Sequence, residues 1–318
     1  MPNLVKKVQN TIFQYSLLKK RDKIVLAVSG GPDSAAMLDI FSKLKRKYDL
    51  ELIIAHVNYA LRGRDSERDE KFVRELAEKY GMETFVLRPE YEKNISENYL
   101  RDIRYAFFEK IRKENHFDFI AVAHNRDDQV ETHLARVIRG AGLQGLSAMR
   151  HKNNFLIRPL LDRPREEILA YLKENKLKYR IDKTNLESKF TRNKIRLKLI
   201  PYLEKNFNPN IRQTIFDSTI SISEDYDLLA KIAAKESGKA KELKISHLLA
   251  LHPAIQKRVL RNKIAAVKSD LKNIDAAHVT EILKMAKSTK GKAQVVVFKG
   301  LKIKRIGDRL EMPTAHNT

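Results

Sequence analysis

Ser29-Gly30-Gly31-Pro32-Asp33-Ser34 follows an apolar run, KIVLAVS (23–29), and leads into a helical pattern. Consecutive glycines let neighbouring backbone N–H groups converge on an anion, and a helix start adds its positive dipole end. Pro32 suits an early helical position, and Ser29 and Ser34 offer hydroxyls. The Gly-Lys-[Ser/Thr] ending of the common phosphate loop is missing, and Asp33 stands where a lysine would cover the β- and γ-phosphates. Charge balance on a polyphosphate then falls to something else, and Asp33 can supply it by holding Mg²⁺. A glycine turn without a ligand is the alternative reading of the two glycines alone.

A second cluster lies in AHNRDDQVETHLARVIRGAGLQGLSAM (123–149). Helical spacing places Val130, Leu134, Val137 and Ile138 on one buried face. Asp128 and Glu131, three residues apart, then project together and can converge on one cation. Asp127 is expected to cap the helix start. Acidic residues serving the helix dipole are the alternative for the Asp pair. A zinc site from His124, Asp128 and His133 is a further option at this spacing.

The elements that must position these residues alternate in the first half. KIVLAVS (23–29), LIIAHVN (52–58), ETFVLRP (83–89) and FDFIAVAH (117–124) read as strands, with helical stretches near 33–47, 66–80 and 98–114. That alternation predicts βαβ units around a parallel sheet, with ligands outside the carboxyl ends of the strands. Both clusters fall just after a strand, as does His56–Arg64. His56 either lines the nucleotide pocket or is a satisfied buried histidine. RPREEILAYLKENKL (163–177) starts like a helix with Pro164 near its first turn, and a helix-rich region runs from about 210 to 288. AQVVVFKGLKIKRIGDRLEM (293–312) reads as a β-meander turning at Lys299-Gly300 and Gly307-Asp308. The expectation is an α/β N-terminal domain over 1–213, then a smaller helix-rich domain over 214–318 ending in the meander.

The 318 residues are 42% apolar and 32% charged, which suits a soluble globular protein. No apolar run approaches the ~20 residues needed to cross a bilayer, and the first residues read as an amphipathic helix rather than a leader. The absence of cysteine excludes disulfides, thiolate metal sites and a cysteine nucleophile on this chain, and fits a cytoplasmic setting. The net charge of +23 is spread over the chain: residues 217–318 carry 20 Lys/Arg against 11 Asp/Glu. A polyanion such as RNA is the partner this favours, against a merely Lys-rich solvated surface.

SGGPDS after a strand resembles the SGGxDS signature of the PP-loop ATP pyrophosphatases, Rossmann-like enzymes that attack the α-phosphorus of ATP and release pyrophosphate. The likeness extends to the tRNA(Ile)-lysidine synthetase branch of that family. HVNYALR (56–62), LRDIRYAFF (100–108), IRPLL (157–161) and YRIDKTNLESKFTRNKIRLKLIPYL (179–203) are similar to its segments, as is the β-rich tail. Tyr59 and Ala60 stand where His and Gly are usual, Asn125 where a second His is, and Tyr179 where Trp is. No carboxylate and no loop glycine is lost by these departures, but they argue against a catalytic histidine at 59 or 125. The longer members carry a further C-terminal domain beyond the residues present here.

The resemblance implies ligation of free L-lysine to C2 of the wobble cytidine of an isoleucine tRNA with a CAU anticodon, through an adenylated cytidine. It implies an ATP contact over Ser29, Gly30, Gly31, Pro32, Asp33, Ser34 and Arg104, with Asp33 catalytic and holding Mg²⁺. It gives the lysine to Asp128 and Glu131, one of them the general base; Glu131 sharing Mg²⁺ with Asp33 is the other option. A base is needed because lysine's amine, with a pKa near 10.4, is neutral in roughly one molecule in 2,500 at pH 7. Arg192, Asn193 and Arg196 are expected on the tRNA, in a stretch (176–212) with 11 Lys/Arg against 3 Asp/Glu. Tyr59, Tyr99, Tyr105, Tyr179 and Phe190 are candidates for base stacking or for packing. A homodimer is a family expectation. A thiolase of the same superfamily is disfavoured because it relies on cysteines.

Overall fold

The computed structural model describes residues 3–90, 96–180, 191–238, 243–268, 274–289 and 294–312. The chain divides between Ser221 and Ile222 into two compact units.

The first unit opens with α1 (Leu4–Gln14), capped by the Asn3 side chain accepting from the Lys6 N–H. Strand and helix then alternate: β1 (Lys23–Ala27), α2 (Pro32–Tyr48), β2 (Glu51–Val57), α3 (Arg64–Tyr80), β3 (Thr84–Leu87), α4 (Glu97–Glu114), β4 (Phe119–Val122) and α5 (Arg126–Ile138). A short turn α6 (Leu143–Leu146) leads to β5 (Lys152–Asn153), β6 (Leu156–Ile157) and α7 (Arg165–Glu174). The sheet order is β3-β2-β1-β4-β6-β5, parallel except for β5 against β6. β1 therefore lies between β2 and β4, and the order reverses there. A crevice opens at such a switch point above the carboxyl ends of β1 and β4, where both sequence clusters begin.

The parallel sheet is covered on both faces, so its strands are apolar almost throughout. Ile24 and Leu26 of β1 enter a core with Phe41 of α2, Val8 of α1 and Leu172 of α7. Val25, between them, points the other way into a core with Phe108 and Ile111 of α4. This period-2 alternation fixes the register and hence where the loop after Ala27 emerges.

After α7, helix α8 (Thr191–Lys194) runs through a π-helical turn (Ile195–Leu199) into α9 (Ile200–Asn206). Ile195 and Ile200 bury against Val130 of α5 and Phe216 of α10 (Ile211–Ser237), the helix within which the two units divide.

The second unit holds β7 (Leu243–Lys244), α11 (Ile245–Ala250), α12 (Pro253–Lys268), α13 (Ala276–Lys287), β8 (Gln294–Phe298), β9 (Leu301–Ile306) and β10 (Arg309–Glu311). Its sheet order is β7-β10-β9-β8, antiparallel throughout, with the meander turning at the expected Lys299-Gly300 and Gly307-Asp308. β9 alternates cleanly: Leu301 and Ile303 are buried with Val259, Ile264 and Ile282, while Lys302 and Lys304 face solvent. No helix among the described residues is long and apolar enough to cross a membrane.

Candidate functional site: two carboxylate sets on one cavity

A cavity of about 480 Å³ opens at the switch point. Ser29, Gly31, Asp33 and Ser34 line it from the loop after β1; His124, Asp128 and Glu131 from the end of β4 and from α5; Arg104 and Tyr105 from α4; Arg165 from α7; and Arg192, Asn193 and Arg196 from α8 and the π-turn. The sequence-expected nucleotide, lysine and RNA residues thus share one wall-to-wall space. Gly30, Pro32 and His56 are not among its lining.

The loop is held by its own serines. Ser34 Oγ accepts from the Ser29 N–H at 3.2 Å and donates to the Gly31 carbonyl at 3.0 Å. Gly31 is the extended N-cap of α2 and Pro32 its first residue, so the helix starts at the loop without a proline penalty. The Asp33 and Ser34 N–H groups then have no helical carbonyl one turn back to receive them.

Asp33 accepts from Asn125 Nδ2 at 2.9 Å and from Arg165 Nη1 at 3.2 Å. Burial pushes its pKa up, and the neighbouring Asp128 charge adds to that, against Arg165 and the Asn125 bond. Asp33 is the carboxylate that the loop itself brings to the cavity. The residues therefore fit Mg²⁺ held through one carboxylate and the oxygens of a phosphate ligand.

Asn125, not Asp127, caps α5. Its side chain accepts from the Asp128 N–H, and Asp128 reaches back to the Asn125 N–H, both at 3.0 Å. Asp127 instead accepts from the Arg165 N–H at 2.9 Å, so it caps α7, and from Arg212 Nη1 at 2.6 Å. The cap lies two residues before the expected Asp127, because either Asn or Asp satisfies a helix start. Tertiary packing recruited the free carboxylate.

As expected from their spacing, Asp128 and Glu131 converge on one cation, and it is the Arg192 guanidinium. Arg192 Nη2 donates to Asp128 Oδ1 and Nε to Glu131 Oε2, each at 2.7 Å. Glu131 is 1% exposed, and its Oε1 has no hydrogen-bond partner among the described residues; Arg196 Nε lies 3.6 Å away. Burial raises the Glu131 pKa and Asp128 adds to it, opposed by Arg192 and Arg196. The buried face of α5 is shorter than its apolar pattern predicts. Val130 is fully buried and Leu134 partly, but Val137 and Ile138 are 49% and 61% exposed at the last turn, where nothing in the first unit's cores covers them.

His124 is half-buried beside Arg158, whose Nε approaches its Nδ1 at 3.3 Å. Burial, then Arg158, Arg192, Arg104 and Arg101, holds the imidazole well below its usual pKa, so it is neutral at physiological pH. His133 Nδ1 bonds the Leu146 carbonyl at 2.8 Å. Among the described residues no three metal-binding side chains cluster, and these histidines have other partners. His56 is buried behind the loop with Nδ1 on the Val28 carbonyl at 2.8 Å.

Arg101 and Arg104 make no ion pair among the described residues and lie over the Tyr105 ring at 5.4 and 5.8 Å. Tyr59 donates to the Leu100 carbonyl at 2.9 Å and borders the cavity, Tyr179 packs on the first unit's core, and Tyr99 is exposed. Phe190 lies outside the described residues. Arg158 and Arg165 escaped sequence reading. Each lies in a segment whose pattern says only strand end or helix start, and its role follows from where that segment lands.

A PP-loop domain model matches residues 2–203, and a TilS substrate binding domain model matches residues 243–311. The chain is 39% identical over 298 residues to the tRNA(Ile)-lysidine synthase of Clostridium tetani, covering 90% of this chain and 64% of that protein. It is 38% identical over 300 residues to the same-named protein of Clostridioides difficile, covering 89% and 65%. The chain thus spans about two-thirds, or slightly less, of the length of these relatives. Among solved structures, the U34-tRNA thiolase NcsA from Methanococcus maripaludis shares the fold, with a TM-score of 0.57 at 22% identity over 69% of this chain and 78% of that one.

Proposed function

The chain belongs to the PP-loop family, and from that premise we propose that it ligates free L-lysine to C2 of the wobble cytidine of an isoleucine tRNA with a CAU anticodon. ATP adenylates the C2 oxygen, releasing pyrophosphate; the lysine ε-amine then adds at C2 and AMP departs with that oxygen. The observation that carries this reading is the meeting, on one cavity, of the SGGPDS loop with the Asp128–Glu131 pair already bridged by a cationic side chain. The named relatives support the substrate.

The loop and the start of α2 hold the departing pyrophosphate, and Asp33 would hold Mg²⁺, which would neutralise phosphate charge. Asp128 and Glu131 grip the lysine ammonium in the manner in which they grip Arg192. Glu131 is the general base: it lines the cavity with an under-bonded Oε1, and burial raises its proton affinity. Arg104 faces the adenylate, Asn193 and Arg196 the flipped cytidine and its phosphate. A single-stranded anticodon base can be turned into such a cavity at modest cost.

The RNA itself lies along unneutralised cations. Arg101, Arg136 and Arg139 have no carboxylate ion pair among the described residues, and burial, then Arg139 and Arg101, lowers the Arg136 pKa. The domain over 214–318 adds the solvent face of its sheet, where Lys302, Lys304 and Arg309 project on the same side as Val295 and Val297. The cytoplasm is the proposed setting.

The test is incorporation of labelled lysine into unmodified tRNA(Ile)(CAU). ATP-dependent label at the wobble cytidine with AMP and pyrophosphate released is the expected result. tRNA-stimulated AMP release without lysine transfer would keep the adenylating loop and reassign the nucleophile. Neither product from folded, tRNA-binding protein would overturn the enzyme reading.

A further inference from the structure

The Gly30 carbonyl accepts from the Arg180 N–H at 2.9 Å, a bond spanning 150 residues of sequence. A trans peptide is planar, with its C=O and N–H pointing to opposite sides. Fixing the Gly30 oxygen on Arg180 therefore fixes the Gly31 N–H in the opposite direction. It points toward Ser29 Oγ, a long contact at 3.4 Å, on the wall of the cavity that Ser29 and Gly31 line.

The loop cannot impose this orientation by itself. Gly30 sits at φ +85°, and a glycine reaches the flipped peptide at little cost. A flipped peptide would present a carbonyl oxygen, the negative end of its dipole, to a polyphosphate. The choice between donor and acceptor toward the ligand has to come from outside the loop.

Arg180 lies in no helix or strand, and its side chain anchors it. Nε donates to Asp69 Oδ1 at 2.9 Å, while the other Asp69 oxygen accepts from Arg62 Nη2 at 2.8 Å. Asp69 belongs to α3, the same helix whose Phe72 and Val73 lie 3.4 Å from where a Cβ on Gly30 would be. One helix thus packs the glycine and anchors the residue that bonds its carbonyl.

We propose that Arg180 and Asp69 are positioning residues that lock the Gly30–Gly31 peptide with its N–H toward the cavity, and so set the loop's affinity for the pyrophosphate group. The proposal rests on reading the loop as an ATP site. Two variants separate the backbone bond from its anchor: Arg180→Pro removes the N–H, and Arg180→Ala keeps it but frees it from Asp69. Calorimetric titration with inorganic pyrophosphate and with ATP, both with Mg²⁺, reads affinity directly. Steady-state lysine incorporation gives KM for ATP and for lysine.

Arg180→Pro is expected to weaken both phosphate ligands about tenfold or more, the scale of a lost hydrogen bond to a charged group. Arg180→Ala and Asp69→Ala should weaken them by about threefold, and Asp69→Glu should restore part of that. KM for lysine should stay within about twofold in all of them, which general damage to the fold would not allow. Unchanged pyrophosphate affinity in folded Arg180→Pro and Arg180→Ala protein, or a KM for lysine that rises in step with that for ATP, overturns the lock. Wild-type protein that binds neither pyrophosphate nor ATP overturns the loop reading itself, and that outcome is visible before any variant is made.

Discussion

Two buried carboxylates in this protein are gripped by arginines, and they titrate in opposite directions. Glu70, on α3, receives Asn58 at 2.9 Å, Arg74 through two bonds of 2.9 and 3.0 Å, and Arg88 at 2.8 Å. Burial alone would raise its pKa, but bonds from Arg88, Asn58 and Arg74 outweigh that and hold it at about 2. Glu131, also buried, receives one short bond, from Arg192, and among the described residues its Oε1 has no hydrogen bond; its pKa rises. Burial raises both, but Glu131 has fewer donors to oppose it, and the Asp128 charge beside it adds to the rise. Native proteins rarely leave a buried carboxylate oxygen unbonded. Glu131, whose Oε1 is left so among the described residues, lines the cavity.

The sharpest break of that comparison is on the loop side. Asp33→Ala should lower ATP-dependent lysine transfer by about a thousandfold or more while tRNA affinity by filter binding stays within about threefold. Loss of tRNA binding in step with activity would instead make Asp33 a structural residue.

Exchanging the two glutamates' charges comes next. Glu131→Gln should cut kcat by about 10²–10³ with thermal stability unchanged or slightly raised, because it neutralises an under-bonded buried charge. Glu70→Gln should do the reverse: about 2 kcal/mol of stability lost in denaturant titration and kcat within about threefold. If the stability losses trade places, the roles assigned to the two carboxylates are wrong.

A smaller effect separates them in pH. Arg192→Ala removes the charge that opposes Glu131's upward shift, so its carboxylate forms only at higher pH. The acid limb of kcat/KM should move up by about one unit. An acid limb that stays in place in this variant would remove Glu131 as the titrating base. For Glu70 the sign is opposite. Its folded pKa lies below the unfolded value, so its stabilisation is present above about pH 4.5 and is lost as pH falls toward about 2. Unfolding followed across that window should show a loss of about 2 kcal/mol, discounted for the exposed Arg74 and Arg88 heads, that Glu70→Gln abolishes.

Much of the fold could be read from the chain. The alternation of KIVLAVS, LIIAHVN and FDFIAVAH with helical stretches yields β1, β2 and β4 close to their observed bounds, since a covered parallel sheet demands apolar strands of that length. The meander turns were equally readable, because Gly300 and Gly307, with Lys299, adopt the left-handed backbone that glycine favours. Reading failed where two residues could do the same local job. Asn125 and Asp127 both suit a helix start, and Val137 and Ile138 continue an apolar pattern after the core has ended.

By itself the sequence determined what is local: the glycine turn and its proline-led helix, the three-residue spacing that brings Asp128 and Glu131 to one cation, the strands that end beneath them. Periodicity and dihedral preference act over a few residues, and these features need no more. Only the tertiary structure decided that Arg192 is that cation, that Asn125 and Arg165 hold Asp33, and that Arg180 turns the Gly30 carbonyl away from the cavity. Each of those contacts joins residues about 60 to 150 positions apart, and such distances close only through the order of strands in the sheet and the faces on which its helices return.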